Sequence, residues 1–528
     1  MHALDTKTLT FRNYIGGFMQ RPIVIKMMLA LYWGFFFTLM FTPVFFMLGL
    51  LLSSVALYFL RNPMKHTDAF MWRRFLSWFP LGMTYAFMYM ARYNLDALAT
   101  ADVITKAEKS QISGWGFFVY AASLFITGPL IDRIGGKKGM IIAAIGAAIF
   151  NTCMGWVLYL NLHGHPLNIV LWLTIFYAMN MFIQSFGAIS TIKVKSYWFH
   201  VRERGTFGAI FGTLISLGVY FAFDWTEAIA KAVKIEENPA PSAVRDLIQN
   251  LFALHSSTVP AVWLIFFIPA GFLIIWALID ILLIKDSPDH AGFPKLDTHD
   301  VSHGDNTAES RSWINVIKDI LSNRVILMIG VIEFTSGVLR DGVMKWYRLF
   351  IKDTGMVVPT ISDNWGLWAA ATGIVGSFLA GWASDRFFNS RRAPVAAISQ
   401  IIMFLSTATM MYILFMNPTD AVTMGIAALF IMMAVIGVHS IMSGVATADF
   451  GGRKGAATAT GVADGFSKLG SSFQEFVLGA FITKETWHYW PSFLMPFTLL
   501  GLFFAFKLWQ ELPAATRKYL KDVEGKDL

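Results

Sequence analysis

The chain has 528 residues, of which 56% are hydrophobic and 14% charged, and its mean hydropathy is +0.55. Soluble globular domains carry about 25% charged residues, so the composition excludes a soluble protein and indicates a helical protein with many membrane spans. The net charge of +8 is typical of basic loops on one membrane face and requires no nucleic-acid partner. Cys153 is the only cysteine, which excludes an intramolecular disulfide and a multi-cysteine metal site.

An N-terminal extension, residues 1–69, precedes the main body. Residues 1–20 lack the short apolar core and small-residue cleavage site of a signal peptide. The apolar stretch 22–60 is too long for one span and holds Thr42-Pro43 near its middle. Basic residues at both of its ends favour a two-helix membrane hairpin; one span plus an interfacial helix is the alternative. The hairpin is also a possible surface for a membrane partner.

Twelve apolar runs of membrane length follow. They are about 75–99, 112–131, 139–160, 167–195, 206–224, 260–284, 325–350, 362–384, 393–415, 420–446, 456–481 and 489–510. The polar stretch 286–324 divides them into two six-helix halves, 70–285 and 325–511, and 512–528 forms a tail. With the hairpin the chain has about fourteen spans.

Lysine and arginine collect in alternate loops. The basic loops are those near 73–74, 133–138, 202–204, 285, 386–392 and 453–454, together with the tail from 507. Short cytoplasmic loops are the ones that carry such residues. The pattern predicts that both termini and the 286–324 linker are cytoplasmic.

The two halves contain matching loops. "GPLIDRIGGKK" (128–138) follows the second core span and "GWASDRFFNSRR" (381–392) follows the eighth. Each has a glycine, then Asp-Arg four residues later, then a basic pair. The glycine lets helices approach, and the aspartate pairs with basic residues or helix N-terminal amides. The loops therefore predict a conformational latch, and an ordinary charged turn is the alternative. The latch residues are Gly128, Asp132, Arg133, Gly381, Asp385 and Arg386.

A buried arginine occupies the same place in each half. Arg92 precedes Asp132 by 40 residues and Arg340 precedes Asp385 by 45. A charged side chain at membrane depth costs about 2.5–3.5 kcal/mol on insertion scales and is by default functional. Parallel six-helix repeats place a substrate site between the halves. A structural pair with Asp96 or Asp341 is the alternative for each arginine.

The loop "GPLIDRIGGKKG" resembles the signature of the major facilitator superfamily. Within it, "YAFMYMARYN", "GVLRDGVMKW", "SYWFHVRERGTFGAIFG" and "DSPDHAGFP" resemble the organophosphate:inorganic phosphate antiporters. The resemblance covers about 70–525. It implies a major facilitator fold and a bacterial inner-membrane location. It also implies that Arg92 and Arg340 bind the substrate phosphate across the pore, for which guanidinium forks are suited.

Further substrate-binding candidates surround this pair. Tyr85 and Tyr89 share a helix face with Arg92 through their spacing, although aromatic residues on a helix are equally often packing residues. The family alignment brings Tyr120 toward the pore and places Lys193 where the family has an arginine. Lys468 is the last candidate, with a structural pair to Asp464 as its alternative.

The chain departs from the family at several positions. Tyr197 stands where the glycerol-3-phosphate transporter has a histidine, and Tyr93 and Leu124 replace lysines. Three carboxylates at membrane depth, Glu333, Asp464 and Glu475, are candidates for proton coupling, because such groups favour the neutral form. They are also suited to an ammonium on a zwitterionic substrate.

The leading hypothesis is a secondary transporter that exchanges a small organophosphate or similar anion for inorganic phosphate by alternating access. The first alternative is a proton-coupled transporter of another anionic or zwitterionic metabolite. The second is a transporter-like sensor of a phosphorylated ligand. No nucleophile–base set, metal cluster or nucleotide loop is recognisable, so the sequence predicts neither an enzyme nor a bound metal or cofactor.

Overall fold

The computed structural model describes residues 43–234, 243–252, 254, 259–296, 322–388, 391–443 and 447–511. These residues form helices and turns, and no strand occurs among them. The chain separates into two compact units, Met1–Leu57 and Tyr58–Leu528. The first described helix, α1 (Pro43–Leu60), is apolar. The rest of the predicted hairpin lies outside the described residues, so the count of fourteen spans stays a prediction.

The first half consists of six long helices, each matching one predicted span. They are α2 (Asp68–Thr100), α3 (Lys106–Ile134), α4 (Gly136–Leu162), α5 (Ile169–Trp198), α6 (Val201–Tyr220) and α9 (Leu264–Leu283). A π-helical turn, Phe221–Trp225, continues α6 into the short helix α7 (Thr226–Val233), and α8 (Ala243–Leu251) follows. Such π turns often occur at functional positions.

The second half repeats the count of six. Its long helices are α10 (Arg324–Met344), α13 (Trp365–Phe387), α14 (Ala393–Met416), α15 (Ala421–Ile441), α16 (Thr447–Phe481) and α17 (Tyr489–Lys507). Two short helices, α11 (Trp346–Thr354) and α12 (Pro359–Ser362), connect α10 to α13. Within the described residues, eight helices are long and apolar enough to cross a membrane, namely α3, α4, α5, α9, α14, α15, α17 and Trp365–Ser384 of α13.

Polar side chains set the helix ends. Thr105 caps α3 in a capping box with Glu108, and Asn323 accepts hydrogen bonds from the first amides of α10. Consecutive long helices therefore turn back sharply, and their ends alternate between two faces of the bundle. We call the face bearing 284–296 the linker face and the face bearing 99–109 the far face.

Asp286 joins the start of the linker to the first half. Its carboxylate accepts a hydrogen bond of 2.7 Å from the backbone amide of Lys137 in the first turn of α4. Gly135, with a φ of 89°, forms the sharp turn before that helix. The short 3₁₀ turn Asp289–Ala291 follows. The latch loop and the linker entrance are therefore held together, and residues 297–321 of the predicted linker lie outside the described residues.

The two halves meet mainly where α3 packs along α16 and where α6 packs on α13. Glycines in α16 allow it to pack closely on α3 of the first half and on α10 of its own half. A Cβ added at Gly479 would lie 2.3 Å from the Cβ of Ser110 in α3. One added at Gly470 would lie 2.1 Å from the carbonyl oxygen of Phe334 in α10. Any larger residue at these two positions forces the helices apart.

Candidate functional site

Arg92 lies at the centre of a ring of tyrosines. It is 1% exposed, and its guanidinium carbon lies 4.8 Å from the ring centroid of Tyr89 and 4.9 Å from that of Tyr120. Tyr85 lies slightly farther, at 6.0 Å. Cation–π contacts of this kind stabilise a buried charge without neutralising it. The structure thus brings together the arginine and the three tyrosines singled out in the sequence.

A chain of amides orients Arg92. Its Nε donates to Oε1 of Gln184 at 3.0 Å, and Nε2 of Gln184 donates to Asn180 at 3.1 Å. Asn180 in turn donates to the carbonyl of Ala91, and the hydroxyl of Tyr177 donates to the carbonyl of Arg92 itself. Among the described residues Arg92 forms no ion pair. The proposed alternative partner, Asp96, pairs instead with Lys109 at 3.2 Å.

Two further buried cations lie on helices of the second half. Arg340 lies 3.5 Å from the carboxylate of Asp341, and its Nη2 has no hydrogen-bond acceptor among the described residues. Nζ of Lys468 is likewise without an acceptor there. Lys468 lies 5.9 Å from the ring of Tyr120, which Arg92 also contacts. Arg92, Arg340 and Lys468, which we call the cationic cluster, are therefore shared between the halves.

Buried donors without acceptors are costly, so groups of this kind are normally satisfied by a partner. Guanidinium and ammonium groups donate only, and phosphate or carboxylate oxygens are their strongest partners. The cationic cluster can therefore bind an anion. Lys193 does not join it, because its ammonium lies 2.6 Å from Asp132 at the linker face.

An acidic cluster lies beside the cationic cluster. Nδ1 of His439 in α15 lies 2.7 Å from Oε2 of Glu333 in α10. One ligand atom each from Glu333, His439 and Asp464 lies within 4.8 Å of the others. Asp464 accepts a hydrogen bond from Ser443 and forms no ion pair with Lys468 among the described residues. His439 is the member that the sequence reading missed, because nothing near it in the sequence marks it as a partner of Glu333.

Glu475 belongs to a different network, which ties the halves together. It accepts hydrogen bonds from Lys109 at 3.1 Å and from Lys345, and Lys109 also pairs with Asp96. All four side chains are buried. We call Asp96, Lys109, Lys345 and Glu475 the buried quartet. Neither Lys109 nor Lys345 was among the candidate residues from the sequence, so the partners of Glu475 were missed.

The described residues show contacts for only some of the residues of the predicted latch loops. Asp132 pairs with Lys193 and accepts from the hydroxyl of Thr458, in the second half, at 3.5 Å. Gly128 is buried in α3, whereas Arg133 and Arg386 are exposed, and no atom lies within 4 Å of a Cβ added at Gly381. The side chain of Asp385 lies outside the described part of the chain. A latching role for both loops stays a prediction.

Several polar contacts connect the halves at the far face. Asp224, on the π turn, pairs with Arg348 at 2.7 Å. It also accepts from the amides of Gly366 and Leu367 at the start of α13, at 2.8 and 2.7 Å. Lys352 pairs with Asp102 at 2.5 Å, and Lys106 pairs with Asp353. Ion pairs and hydrogen bonds therefore hold the two halves together at the far face.

A separate ion pair fixes the linker-face ends of α2 and α6. Arg74 is 1% exposed and lies 3.0 Å from Glu203, which also contacts His66. Arg74 and Glu203 line a cavity of about 390 Å³ that is distinct from the cationic cluster. Burial raises the pKa of Glu203, but hydrogen bonds from His66 and Arg74 and the charge of Arg74 outweigh it and bring the pKa down to about 2.

Glu203 should therefore stabilise the fold in a defined pH range. Its pKa lies below the usual value of about 4.3 for glutamate, so the stabilisation is complete above about pH 4.5 and is lost as the pH falls toward 2. Glu203→Gln is expected to lower the melting temperature at pH 7, and the gap to wild type should narrow below pH 4. Thermal unfolding in detergent measures this. The exposed Asp363→Asn serves as control; an equal effect of both variants would contradict the assignment.

The chain resembles proteins of known families. The family model described as Major Facilitator Superfamily matches residues 75–475. The chain is 23% identical to the Membrane sensor protein UhpC of Salmonella typhimurium, over 80% of this chain and 87% of that protein. It is 24% identical to the Glycerol-3-phosphate transporter of Bacillus subtilis, covering 74% and 81%. It is 22% identical to a Probable hexose phosphate transport protein of Chlamydia trachomatis, covering 84% and 93%.

A solved structure shares the fold. It is an inward-facing, unoccupied bacterial homolog of the human lysosomal transporter Spinster, with a TM-score of 0.59 and 16% identity. The alignment covers 87% of this chain and 99% of that one. At this identity the likeness is evidence for the helical architecture alone.

Proposed function

This chain belongs to the Major Facilitator Superfamily, and from that membership we propose that it exchanges a small organophosphate for inorganic phosphate by alternating access. It is a multi-pass membrane transport protein with relatives named for organophosphate transport. The family and fold are those of transporters, which agrees with the expectation that the chain is not an enzyme. The exchange reaction and its mechanism are the proposed part.

One observation supports the exchange most directly. Buried donors of Arg340 and Lys468, in the second half, lack acceptors among the described residues, and Lys468 lies near the ring of Tyr120 that Arg92 of the first half also contacts. The oxygens of a phosphate bound there would accept hydrogen bonds from both halves at once. Neutralising the cations lowers the cost of closing the halves around the anion, which couples binding to movement. We assign phosphate binding to the cationic cluster, with Tyr85, Tyr89 and Tyr120 around it.

The decisive experiment is exchange in proteoliposomes. Protein reconstituted with internal inorganic phosphate is expected to take up labelled phosphate, and external glycerol-3-phosphate or glucose-6-phosphate is expected to compete. Vesicles lacking internal phosphate should take up much less label, because exchange requires a counter-substrate. Equal uptake with and without internal phosphate would contradict exchange and favour the proton-coupled alternative.

Proton coupling is the second candidate, and the acidic cluster supports it. Glu333 is buried, contacts His439 and keeps Oε1 without a hydrogen-bond partner among the described residues. Together with Asp464 it offers a place for a proton at membrane depth. Glu333→Gln is the variant that tests this, through uptake measured between pH 5.5 and 8. An unchanged pH profile would leave Glu333 with a structural or substrate-binding role.

Sensing is the third candidate. The relative from Salmonella typhimurium is named a membrane sensor protein, whereas others are named transporters. A sensor binds its ligand with little exchange, so phosphate binding without exchange in the proteoliposome experiment would favour this alternative. The N-terminal extension would then be a surface for a membrane partner.

The linker face is proposed to be cytoplasmic, with both termini on that side of a bacterial inner membrane. The basic residues of the linker-face loops support this orientation. Single cysteines at His165, on the far face, and at Lys285, on the linker face, are expected to react with an impermeant thiol reagent only from outside and only from inside, respectively. Cys153→Ser provides the background. Reversed labelling would invert the proposed topology.

The far-face contacts predict a conformational effect. Asp224→Asn removes the charge that binds the two amides of α13 and one of the two carboxylates that pair with Arg348, the other being Glu227. Hydrogen bonds to charged groups contribute about 1.5–3 kcal/mol. The variant is expected to populate a far-face-open state at least tenfold more than wild type. Spin labels at positions 165 and 484 report it as a longer distance. Asp102→Asn, at an exposed pair worth little, should leave the distances unchanged.

A further inference from the structure

The acidic and cationic clusters are neighbours in one binding region. Lys468 and Arg92 both lie near the ring of Tyr120, and Arg340 pairs with Asp341. Asp464 precedes Lys468 by four residues on α16, a rise of about 6 Å, and Glu333 precedes Arg340 by seven on α10, about 10 Å. Each helix therefore carries a carboxylate one or two turns from a cation of the cationic cluster.

Among the described residues, two carboxylates of this region have no partner in the cationic cluster. Asp341 pairs with Arg340, whereas Glu333 contacts His439 and Asp464 accepts from Ser443. The lysines and carboxylates of the buried quartet pair with one another. A ligand whose only charged group is a phosphate offers no donor to Glu333 and Asp464, and unpaired polar groups in a low-dielectric site are expensive. A ligand that also carries a positive group supplies that donor.

The acidic cluster offers hydrogen-bond acceptors for a positively charged group of the ligand. His439 Nδ1 contacts Oε2 of Glu333, which leaves Oε1 of the fully buried Glu333 without a partner among the described residues. Asp464 is half-buried and lies within reach of the same space. With the histidine nitrogen engaged by Glu333, two carboxylates remain to accept from a ligand. Two carboxylates suit the N–H donors of an ammonium.

We infer, building on the proposed function, that the transported organophosphate is a phosphorylated amine, whose ammonium binds Glu333 and Asp464 while its phosphate binds the cationic cluster. His439 is a positioning residue, because it holds Glu333 through Oε2. Because Asp464 and Lys468 are about one helical turn apart, we expect the site to select short molecules, with a few bonds between phosphorus and nitrogen. Hexose phosphates and glycerol phosphates lack the group that the acidic cluster binds.

Matched ligand pairs test this. Phosphoethanolamine and 3-aminopropyl phosphate each have a counterpart of the same size with an uncharged hydroxyl in place of the ammonium, 2-hydroxyethyl phosphate and 3-hydroxypropyl phosphate. Competition against labelled inorganic phosphate on the purified full-length protein measures all four affinities. Wild type is expected to prefer the amine of at least one pair by tenfold or more, as sites built to bind a polar group reject analogues that lack it.

The same ratio is measured in Glu333→Gln and Asp464→Asn, and in both it is expected to fall to near one. Because each ratio comes from one protein sample, lower stability or a changed affinity for phosphate cancels. Asp280→Asn, a buried carboxylate in α9 that accepts from Thr84, is the control and should keep the wild-type ratio.

Each outcome either supports or overturns the inference that the substrate is a phosphorylated amine. A wild-type ratio near one for both pairs overturns the inference while leaving phosphate transport intact. Amine selectivity that survives both carboxylate variants also overturns it. Selectivity that appears only with added Zn²⁺ or Mn²⁺ assigns the cluster to a metal ion instead. Failure of inorganic phosphate itself to bind defeats the proposed function and, with it, the phosphorylated amine.

Discussion

Arg92→Ala is expected to weaken inorganic phosphate binding by two to three decades, and Arg340→Ala by a similar factor. Removing one partner of a buried charge interaction costs about 3–5 kcal/mol, and each 1.4 kcal/mol is tenfold in affinity. Lysine at either position should rescue poorly, because it keeps the charge but loses the two-pronged guanidinium. Equilibrium binding of labelled phosphate to purified protein measures the loss.

The structure separates binding from folding in this experiment. Arg340 pairs with Asp341, so Arg340→Ala leaves a buried carboxylate unpaired, and the double variant with Asp341→Asn should recover thermal stability but not binding. Arg92 has no carboxylate partner among the described residues, so Arg92→Ala should unfold closer to wild type. The exposed Arg386→Ala is a matched control that should bind normally. A well-folded Arg92→Ala that binds phosphate like wild type would remove the main support for the proposed site.

Glu475→Gln is expected to destabilise the protein by about 3–5 kcal/mol rather than to shift a pH profile. Lys109 and Lys345 both bind Glu475, and the variant leaves two buried ammonium groups with one carboxylate, Asp96. Thermal unfolding of the purified variant measures the loss. The sequence treated Glu475 and Glu333 as equal candidates for proton coupling, and their surroundings now distinguish them.

A second-site variant provides the control. Lys345→Met in the Glu475→Gln background removes the excess positive charge and should restore part of the lost stability, since neighbouring sites are non-additive. Glu333→Gln, outside the buried quartet, should not be rescued by it. If Glu475→Gln melts like wild type and instead moves the pH optimum of uptake, Glu475 is the proton-carrying group.

The architecture was readable from the sequence because hydrocarbon thickness sets helix length. Each of the twelve predicted core spans coincides with a long helix. The errors lie at polar ends: α2 begins at Asp68 rather than near 75, and α16 at Thr447 rather than near 456. Backbone hydrogen bonding continues the helix beyond the apolar run that marks it in the sequence.

The site was readable only where its members share a helix. The spacing of Tyr85, Tyr89 and Arg92 placed them on one face, and the structure gathers them. Partners that are distant in sequence were not accessible in this way. Gln184 and His439 carry no local signal of the residues they contact, since pairing across helices depends on how the bundle packs.

Contacts between helices also explain why one spacing in the sequence suggested the wrong partner. Asp464 and Lys468 stand four apart, which favours a pair along α16, yet the structure directs Asp464 to Ser443 and leaves Lys468 over aromatic rings. Lys193, aligned with a family arginine, pairs with Asp132. Tertiary neighbours decided both outcomes, and a single sequence does not contain them.

The carboxylate of Asp224 completes a helix that belongs to the other half of the molecule. The first turn of α13 obtains acceptors for the amides of Gly366 and Leu367 from the π turn after α6. Under alternating access, every opening of the far face removes a helix cap and every closure restores it. Deuterium uptake at these two amides should therefore report the opening of the far face. We expect uptake to slow when a bound ligand holds the far face closed and to accelerate when the halves separate. The measurement needs no label attached to the protein.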